Sequence, residues 1–299
     1  MEYTNPDALV STQWLADHVE DPMVRIVDAT WYPVFSGNDG IDAYEVRHIP
    51  GAVFWDAEDI TDLNTNLPHM TPDDEEFIES MSQLGISNEH RVIVYDAQGG
   101  HSVALRAWWM LRLFGHANVA LLDGGLQRWI REKRPLSDVN PRFSETTFDI
   151  THNNAMVRDV SQMLANLHSK AEQIVDMRAA KQFSGEEPDP YAVELAHMLK
   201  RETEPQRGHI PGARNLQLSA LLDPQKDYTV RPADDLIKAF VDAGIDVSRP
   251  ITAMCGAGSV AAVVPFALHL LGYDIGAIYE GSWSEWANFD GTPAEFGAN

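Results

Sequence analysis

The sequence predicts an α/β protein with two similar domains, each built on a mainly parallel sheet flanked by helices. Two observations predict this fold: the 299 residues fall into two similar halves, and each half alternates short apolar runs with helical stretches. Such alternation is typical of parallel sheets covered by helices on both faces. A polar, turn-rich segment at 133–155 separates the halves, so we expect domains at residues 1–140 and 155–299.

The similarity of the halves rests on strings that recur in the same order. His48–Ala52, which reads HIPGA, returns unchanged as His209–Ala213. The other pairs are Val24–Thr30 with Gln173–Arg178, Arg91–Ala97 with Pro250–Gly256, Leu111–Gly115 with Leu268–Gly272, Leu122–Gly125 with Tyr279–Ser282, and Trp129 with Trp286. From Arg91 onward the offset stays between 157 and 159 residues, which indicates a tandem repeat.

The elements of the first half can be assigned in order. Its apolar patterns predict strands near 24–29, 52–56, 91–96 and 119–123 and helices near 73–84, 101–114 and 125–132. The helix near 73 is expected to begin at Thr71-Pro72-Asp73, because a capping hydroxyl, a proline and acidic residues favour a helix start. Gly85 and Gly244 predict the ends of two helices.

Composition restricts the class of partner. The formal net charge is −23, and an acidic surface repels nucleic-acid phosphates and anionic lipid. No apolar run reaches the ~20 residues of a membrane span, and Met1–Pro6 lacks the basic and apolar regions of a secretory signal. We therefore expect a cytoplasmic protein with no nucleic-acid or membrane partner. No histidine pair has a usual zinc spacing beside acids or cysteine, so we expect no metal.

The single cysteine, Cys255, stands where chemistry is expected. It follows the predicted strand Ile251–Met254, and ligands of parallel α/β sheets bind at the carboxyl ends of strands. Gly256 and Gly258 allow successive N–H groups to face one point before the helical run Ala261–Leu271. Backbone N–H groups at a helix start lower the pKa of a nearby thiol, so we predict a reactive thiolate.

Together these motifs resemble the tandem-domain rhodanese family, which includes thiosulfate and mercaptopyruvate sulfurtransferases. The resemblance covers nearly the whole chain and rests on both HIPGA strings, Ser102–His116, Leu121–Trp129, the loop at Cys255, and Tyr279–Trp286. It implies two rhodanese-like domains and a double displacement, in which Cys255 takes sulfur as a persulfide and an acceptor removes it. It also implies that no cofactor is required. Asp96 takes the cysteine position of the first half, which implies an inactive copy.

The resemblance also assigns site residues. Cys255, His69 and Glu58 are the expected catalytic residues, with Asp59 as the alternative acid. The expected sulfur-binding loop is Gly256, Ala257, Gly258, Ser259 and Val260. Gln182 and Tyr191 stand where relatives have two arginines that grip the substrate carboxylate, so they are the expected substrate contacts. His101 is a further candidate to face the cleft.

Two departures from the family pattern leave the donor open. Ala257 replaces a family serine, for which Ser259 is the candidate substitute. Gln182 and Tyr191 offer no guanidinium, and the arginines that could compensate are Arg178, Arg201, Arg207 and Arg214. The glycine-rich loop and His69 favour a mercaptopyruvate-like enzyme over a thiosulfate-like one.

The expected partners are a small sulfur donor, 3-mercaptopyruvate or thiosulfate, and a thiol or cyanide acceptor, with a thioredoxin-like protein as the candidate protein acceptor. Two alternatives stay open at this point. One is a non-catalytic module of the same fold that binds persulfide or regulates a partner. The other is an enzyme that takes sulfur from an uncharged or protein-bound persulfide. Both are motivated by the missing serine and arginines.

Overall fold

The protein, seen in a computed structural model, is described over residues 1–33, 36–99 and 102–298. His101, suggested above as a cleft residue, lies outside these ranges. The first half contains β1 Leu9–Val10, α1 Thr12–His18, β2 Val24–Asp28, α2 Gly40–Val46, β3 Ala52–Phe54, α3 Asp74–Gln83, β4 Arg91–Tyr95, α4 Ser102–Leu113, β5 Val119–Leu122 and α5 Gly125–Arg131.

The second half repeats this pattern with additions between its first and last strands. It contains β6 Val157–Arg158, α6 Val160–Ser169, β7 Gln173–Asp176, α7 Ala180–Ser184, α8 Pro190–Met198, β8 Arg214–Asn215, α9 Leu218–Leu221, β9 Leu222–Asp223, β10 Thr229–Val230, α10 Ala233–Asp242, β11 Ile251–Met254, α11 Val263–Leu270, β12 Gly276–Tyr279 and α12 Ser282–Asn288. None of the described helices is long and apolar enough to cross a bilayer.

The two five-stranded sheets have equivalent strand orders, β1-β5-β4-β2-β3 and β6-β12-β11-β7-β8. Neighbouring strands are parallel throughout both sheets as described, with Asp28 opposite Tyr95 in one and Asp176 opposite Met254 in the other. The predicted fold class is confirmed, and the four strands predicted for the first half correspond to β2–β5. The sequence did not predict β1, β9 or β10, because two residues carry no periodicity.

The helix predicted near 73 begins later than its sequence suggested. Asp73, not Thr71, is the capping residue of α3, and its carboxylate accepts the N–H of Glu76 at 2.9 Å. Thr71 instead donates its N–H and its hydroxyl to Glu280 of the second half. A competing long-range contact therefore displaced the local cap.

The two halves share their largest apolar cluster, and each half also has a smaller cluster of its own. The largest buried cluster contains residues of both, and α4 packs against α11 through Trp108 and Phe266, whose ring centres lie 5.0 Å apart. Four tryptophans of α4 and α12 are buried, and they are Trp108, Trp109, Trp283 and Trp286. The apolar interface brings the carboxyl end of β11 beside residues of the first half.

Candidate active site

Cys255 lies at the carboxyl end of β11, before a 3-10 turn at Val260–Ala262 that leads into α11. The backbone N–H groups of Ala257, Val260 and Ala261 donate hydrogen bonds to its sulfur. Gly258 has a φ of +81°, a value that residues with a side chain rarely adopt. This backbone conformation lets the N–H groups converge. We call residues 255–261 the cysteine loop. It directs three donors at one sulfur atom.

The thiol is more enclosed than the sequence suggested. Cys255 is 2% exposed, and burial raises the pKa of its thiol, while the loop N–H groups lower it and the Asp189 carboxylate raises it again. The net direction is upward, so the prediction of a lowered pKa is wrong. The sequence argument counted the N–H groups alone, but the cost of desolvating a thiolate outweighs their hydrogen bonds.

The segment after β12 holds the backbone of the cysteine loop through hydrogen bonds. Ser282 accepts the N–H of Cys255 at 3.2 Å and donates to the carbonyl of Tyr279 at 2.9 Å. Trp283 and Ser284 donate their N–H groups to the carbonyls of Cys255 and Gly256 at 3.0 and 2.9 Å. Sequence reasoning gave these residues no role, although their string, GSWSEW, was one of the motifs of the resemblance. Their backbone bonds explain why that string accompanies the loop.

Asp189 and Tyr191 form the wall beside the cysteine loop. A Cβ placed on Gly256 would lie 2.7 Å from Cδ2 of Tyr191 and 3.2 Å from Oδ2 of Asp189, so only glycine fits there. Asp189 caps α8 by accepting the N–H groups of Tyr191 and Ala192. Burial, followed by the nearby Cys255 and Asp189 charges, raises the pKa of the Tyr191 phenol. This phenol therefore stays protonated at neutral pH.

A cavity of about 330 Å³ opens between the domains on the other side of Tyr191. Its walls come from α8 and from first-domain residues between Trp31 and His69. Among the described lining residues the carboxylates are Glu58, Asp62 and Glu194, and none is lysine or arginine. Tyr191 contacts both this cavity and the cysteine loop, so the cavity is the candidate substrate site.

His69 and Glu58 both line this cavity, and Trp31 contacts each of them. The indole Nε1 of Trp31 donates to Oε1 of Glu58 at 2.5 Å, and its ring meets the His69 ring edge-on with centres 4.8 Å apart. Glu58 therefore binds Trp31 rather than His69, and both Glu58 and the alternative acid, Asp59, are exposed. Burial and the nearby Arg106 guanidinium lower the pKa of His69 to about 4, so its imidazole is neutral at pH 7.

Gln182 and the four nearby arginines do not line the cavity. Oε1 of Gln182 accepts the N–H of Ala179 at the start of α7, which is a local capping contact. Arg178 is buried against Asp176 at 2.6 Å and stacks on Trp283 at 4.1 Å. Of the two expected substrate contacts, the structure thus brings Tyr191 to the cavity and leaves Gln182 outside it.

The other residues of the cysteine loop are also enclosed. Ala257 and Ser259 are 2% and 8% exposed, and Ala257 contributes an N–H group but no hydroxyl. Within the described ranges, no group of three His, Cys, Asp or Glu residues is arranged to hold a metal ion. The groups that face the sulfur or the cavity are the loop N–H groups, Tyr191 and His69.

The rhodanese-like domain matches this chain twice, over residues 11–132 and 159–289. The thiosulfate sulfurtransferase of Rattus norvegicus is 36% identical over 284 residues, which cover 93% of this chain and 91% of that protein. The 3-mercaptopyruvate sulfurtransferase of Escherichia coli K12 is 36% identical over 287 residues, which cover 96% and 97%. The chain is thus similar along nearly its whole length to enzymes named for two different donors, thiosulfate and 3-mercaptopyruvate.

Solved structures give the same result. SseA from Escherichia coli, described as a 3-mercaptopyruvate enzyme with the rhodanese fold, matches with a TM-score of 0.80 and 36% identity over 92% of this chain and 98% of that one. Tum1 from Saccharomyces cerevisiae matches with a TM-score of 0.81 and 28% identity over 96% and 97%. The enzyme names of the relatives support catalysis over a non-catalytic module. The chain belongs to the rhodanese family, as a tandem-domain sulfurtransferase.

Proposed function

We propose that the protein transfers sulfane sulfur by double displacement through a persulfide on Cys255. The Cys255 thiolate attacks the outer sulfur of a donor, an S–S bond forms, and the bond between that sulfur and the rest of the donor breaks. The donor remainder leaves with the electron pair of the broken bond. A thiol or cyanide then attacks the outer sulfur, and Cys255 leaves as the thiolate.

The convergence of three N–H groups on the Cys255 sulfur carries this proposal. Both the thiolate and the terminal sulfur of a persulfide are anions, and fixed amide dipoles stabilise charge in a water-poor site without reorganising. The raised thiol pKa does not prevent the reaction, because catalysis needs the thiolate only while the donor is bound. It does predict that sulfur loading becomes faster as the pH rises through that pKa.

Intact mass tests the proposal directly. We expect Cys255 to gain one sulfur atom after donor treatment and to lose it on addition of cyanide, which should yield thiocyanate. Because the chain has one cysteine, Cys255→Ser should abolish both steps and serves as the control. If thiosulfate, 3-mercaptopyruvate and an organic persulfide all leave the mass unchanged, the proposal fails and a binding role is favoured.

The lining of the cavity beside Tyr191 bears on which donor the protein uses. We keep 3-mercaptopyruvate and thiosulfate as the first candidates because relatives carry those names. Glu58, Asp62 and Glu194 favour a second candidate, a donor with an uncharged end, because carboxylates repel an anionic one. Introduction of a guanidinium by Tyr191→Arg should then raise kcat/KM for 3-mercaptopyruvate relative to an uncharged persulfide. No change in that ratio would contradict the second candidate.

His69 is proposed to assist as a neutral imidazole at the cavity wall. With a pKa of about 4 it carries no charge at pH 7, so its imidazole can accept a hydrogen bond from an incoming acceptor thiol. Glu58 is proposed to act through Trp31 by fixing the indole against His69.

Three further expectations are kept as proposals. The domains are proposed at 1–140 and 155–299, which contain the two matched rhodanese-like regions. A thioredoxin-like protein is proposed as the physiological acceptor. A cytoplasmic location stays a prediction from the sequence.

A further inference from the structure

Arg106 and Glu280 form a buried ion pair across the domain interface. Arg106 projects from α4 of the first domain, and Glu280 follows β12 of the second. Their nitrogen and oxygen atoms are 2.5 Å apart, and the side chains are 4% and 6% exposed. The attraction within a buried pair only partly offsets the cost of desolvating both charges. Stability alone therefore does not account for this pair.

The pair joins the two halves of the candidate active site. Nη2 of Arg106 also donates to the carbonyl of His69, while Glu280 accepts the N–H and the hydroxyl of Thr71, both at 3.1 Å. On the opposite side, a Cβ placed on Gly258 would lie 2.7 Å from the Glu280 carbonyl oxygen and 3.8 Å from Nη1 of Arg106. One ion pair thus contacts the His69 segment and the cysteine loop at once.

Among the described residues, no arginine of the other domain pairs with the equivalent position of the first domain. Asp123 matches Glu280 in the repeat, and it also reaches across the interface, where it accepts the N–H of Val230 at 2.9 Å. The residue that matches Arg106 is Val263. Asp123 pairs instead with Arg128 of its own domain, at 3.5 Å and with the arginine side chain 37% exposed. The buried interdomain arginine is therefore found on the side of the molecule that holds the cysteine.

We propose that Arg106 and Glu280 are positioning residues for sulfur transfer, which set the cysteine loop relative to His69 across the domain interface. The inference rests on the proposed function. Neither side chain acts on the sulfur directly. Arg106 acts through its bond to the His69 carbonyl, and Glu280 acts through its own backbone carbonyl, which lies against Gly258. Misplacement of reacting groups by about 1 Å can cost roughly 100-fold in rate, so such a link is kinetically important.

The test compares two matched double variants. Arg106→Met with Glu280→Leu removes both buried charges together, which avoids leaving one unpaired. Arg128→Met with Asp123→Leu removes the ion pair made by Asp123, the residue that matches Glu280 in the repeat. Single-turnover mass spectrometry gives the rate of persulfide loading on Cys255, and iodoacetamide alkylation gives the reactivity of the thiol itself. Thermal unfolding, monitored by circular dichroism, gives the stability of each variant.

We expect the first double variant to load sulfur up to about 100-fold more slowly, with a smaller change in donor KM, while alkylation stays near the wild-type rate. The control should load normally. Wild-type loading in the folded first variant would overturn the inference, and so would an equal loss in both. If the first variant does not fold, Arg106→Lys decides. The lysine side chain is shorter than arginine and ends before the position of Nη2, the atom that bonds both the His69 carbonyl and Glu280. We therefore expect slower loading, and wild-type loading would again refute the inference. Absence of loading in the wild type refutes the proposed function instead.

Discussion

The two halves of the molecule place equivalent loops around different side chains. Asp96 follows β4 as Cys255 follows β11, and the N–H groups of Gln98, Gly99 and Ala104 donate to the Asp96 carboxylate. In the second half, Ala257, Val260 and Ala261 donate to sulfur. In each case three backbone donors meet an atom that can be anionic, so the loop is a feature of the fold rather than of the cysteine.

The support beneath the loops is also shared. Leu126 donates its N–H to the carbonyl of Asp96 at 3.1 Å, as Trp283 does to the carbonyl of Cys255 at 3.0 Å. The surroundings differ. The ring of Tyr228 from the second domain packs on Gly99, 2.6 Å from where a Cβ would stand, whereas Tyr191 beside the cysteine loop adjoins a cavity. An amide-lined loop therefore provides an anion site in both domains, and the residues around the loop determine whether a substrate reaches it.

The largest expected effect comes from moving the cysteine from the second loop to the first. In Asp96→Cys with Cys255→Ser, we expect no persulfide with any donor that loads the wild type. The new thiol would have backbone donors but no open approach, because the ring of Tyr228 packs on Gly99 of that loop, whereas Tyr191 beside the cysteine loop lines a cavity. Intact mass after donor treatment measures this, and Cys255→Ser alone is the control. Loading at the wild-type rate would mean that the loop suffices without its surroundings.

Much of this comparison could be predicted from the sequence. The HIPGA strings and the paired glycines indicated two similar parallel-sheet domains, and the position of Cys255 after an apolar strand placed the thiol at a strand end. The role of Ser282 in binding the Cys255 N–H could not be predicted, because it depends on strands that are adjacent in space but not in sequence.

The errors at the site have a common cause. Local patterns report hydrogen-bond donors but not burial, so the N–H groups of the loop were counted and the desolvation of Cys255 was not. The substrate contact expected of Gln182 stays a prediction, and the contact that local patterns did not report is its cap of α7. Thr71 was predicted to cap a helix because its partner, Glu280, is distant in sequence and local patterns do not show it.

A smaller effect concerns stability. Burial raises the pKa of Asp96 to about 7, against 3.8 for an ordinary carboxyl. The folded state therefore favours the protonated acid, and the free energy of unfolding falls as the pH rises from about 4 to 7 and then levels. Asp96→Asn removes this dependence and should stabilise the protein at pH 8 by up to about 4 kcal/mol, with the difference vanishing near pH 4.

Urea unfolding at several pH values measures this difference. Asp138→Asn, in the exposed segment between the domains, is the control for loss of one negative charge. If Asp96→Asn is less stable than the wild type at pH 8, the loop binds a carboxylate in preference to the neutral acid. The two loops would then be equally good anion sites, and the difference between the domains would lie entirely in access.

The smallest expected effect concerns the charge of Asp189 beside the cysteine loop. Asp189 raises the pKa of the Cys255 thiol through its charge, after burial. Asp189→Asn keeps an oxygen that can cap α8 but removes the charge, so the thiol pKa should fall and more thiolate should form at neutral pH. Iodoacetamide alkylation at pH 7 should then become severalfold faster, and its rate profile should move to lower pH. Asp159→Asn, which alters the equivalent cap of α6, should leave the profile in place. An unchanged or upward-shifted profile for Asp189→Asn would show that burial alone sets the state of the sulfur, and that the two loops differ by enclosure and not by neighbouring charge.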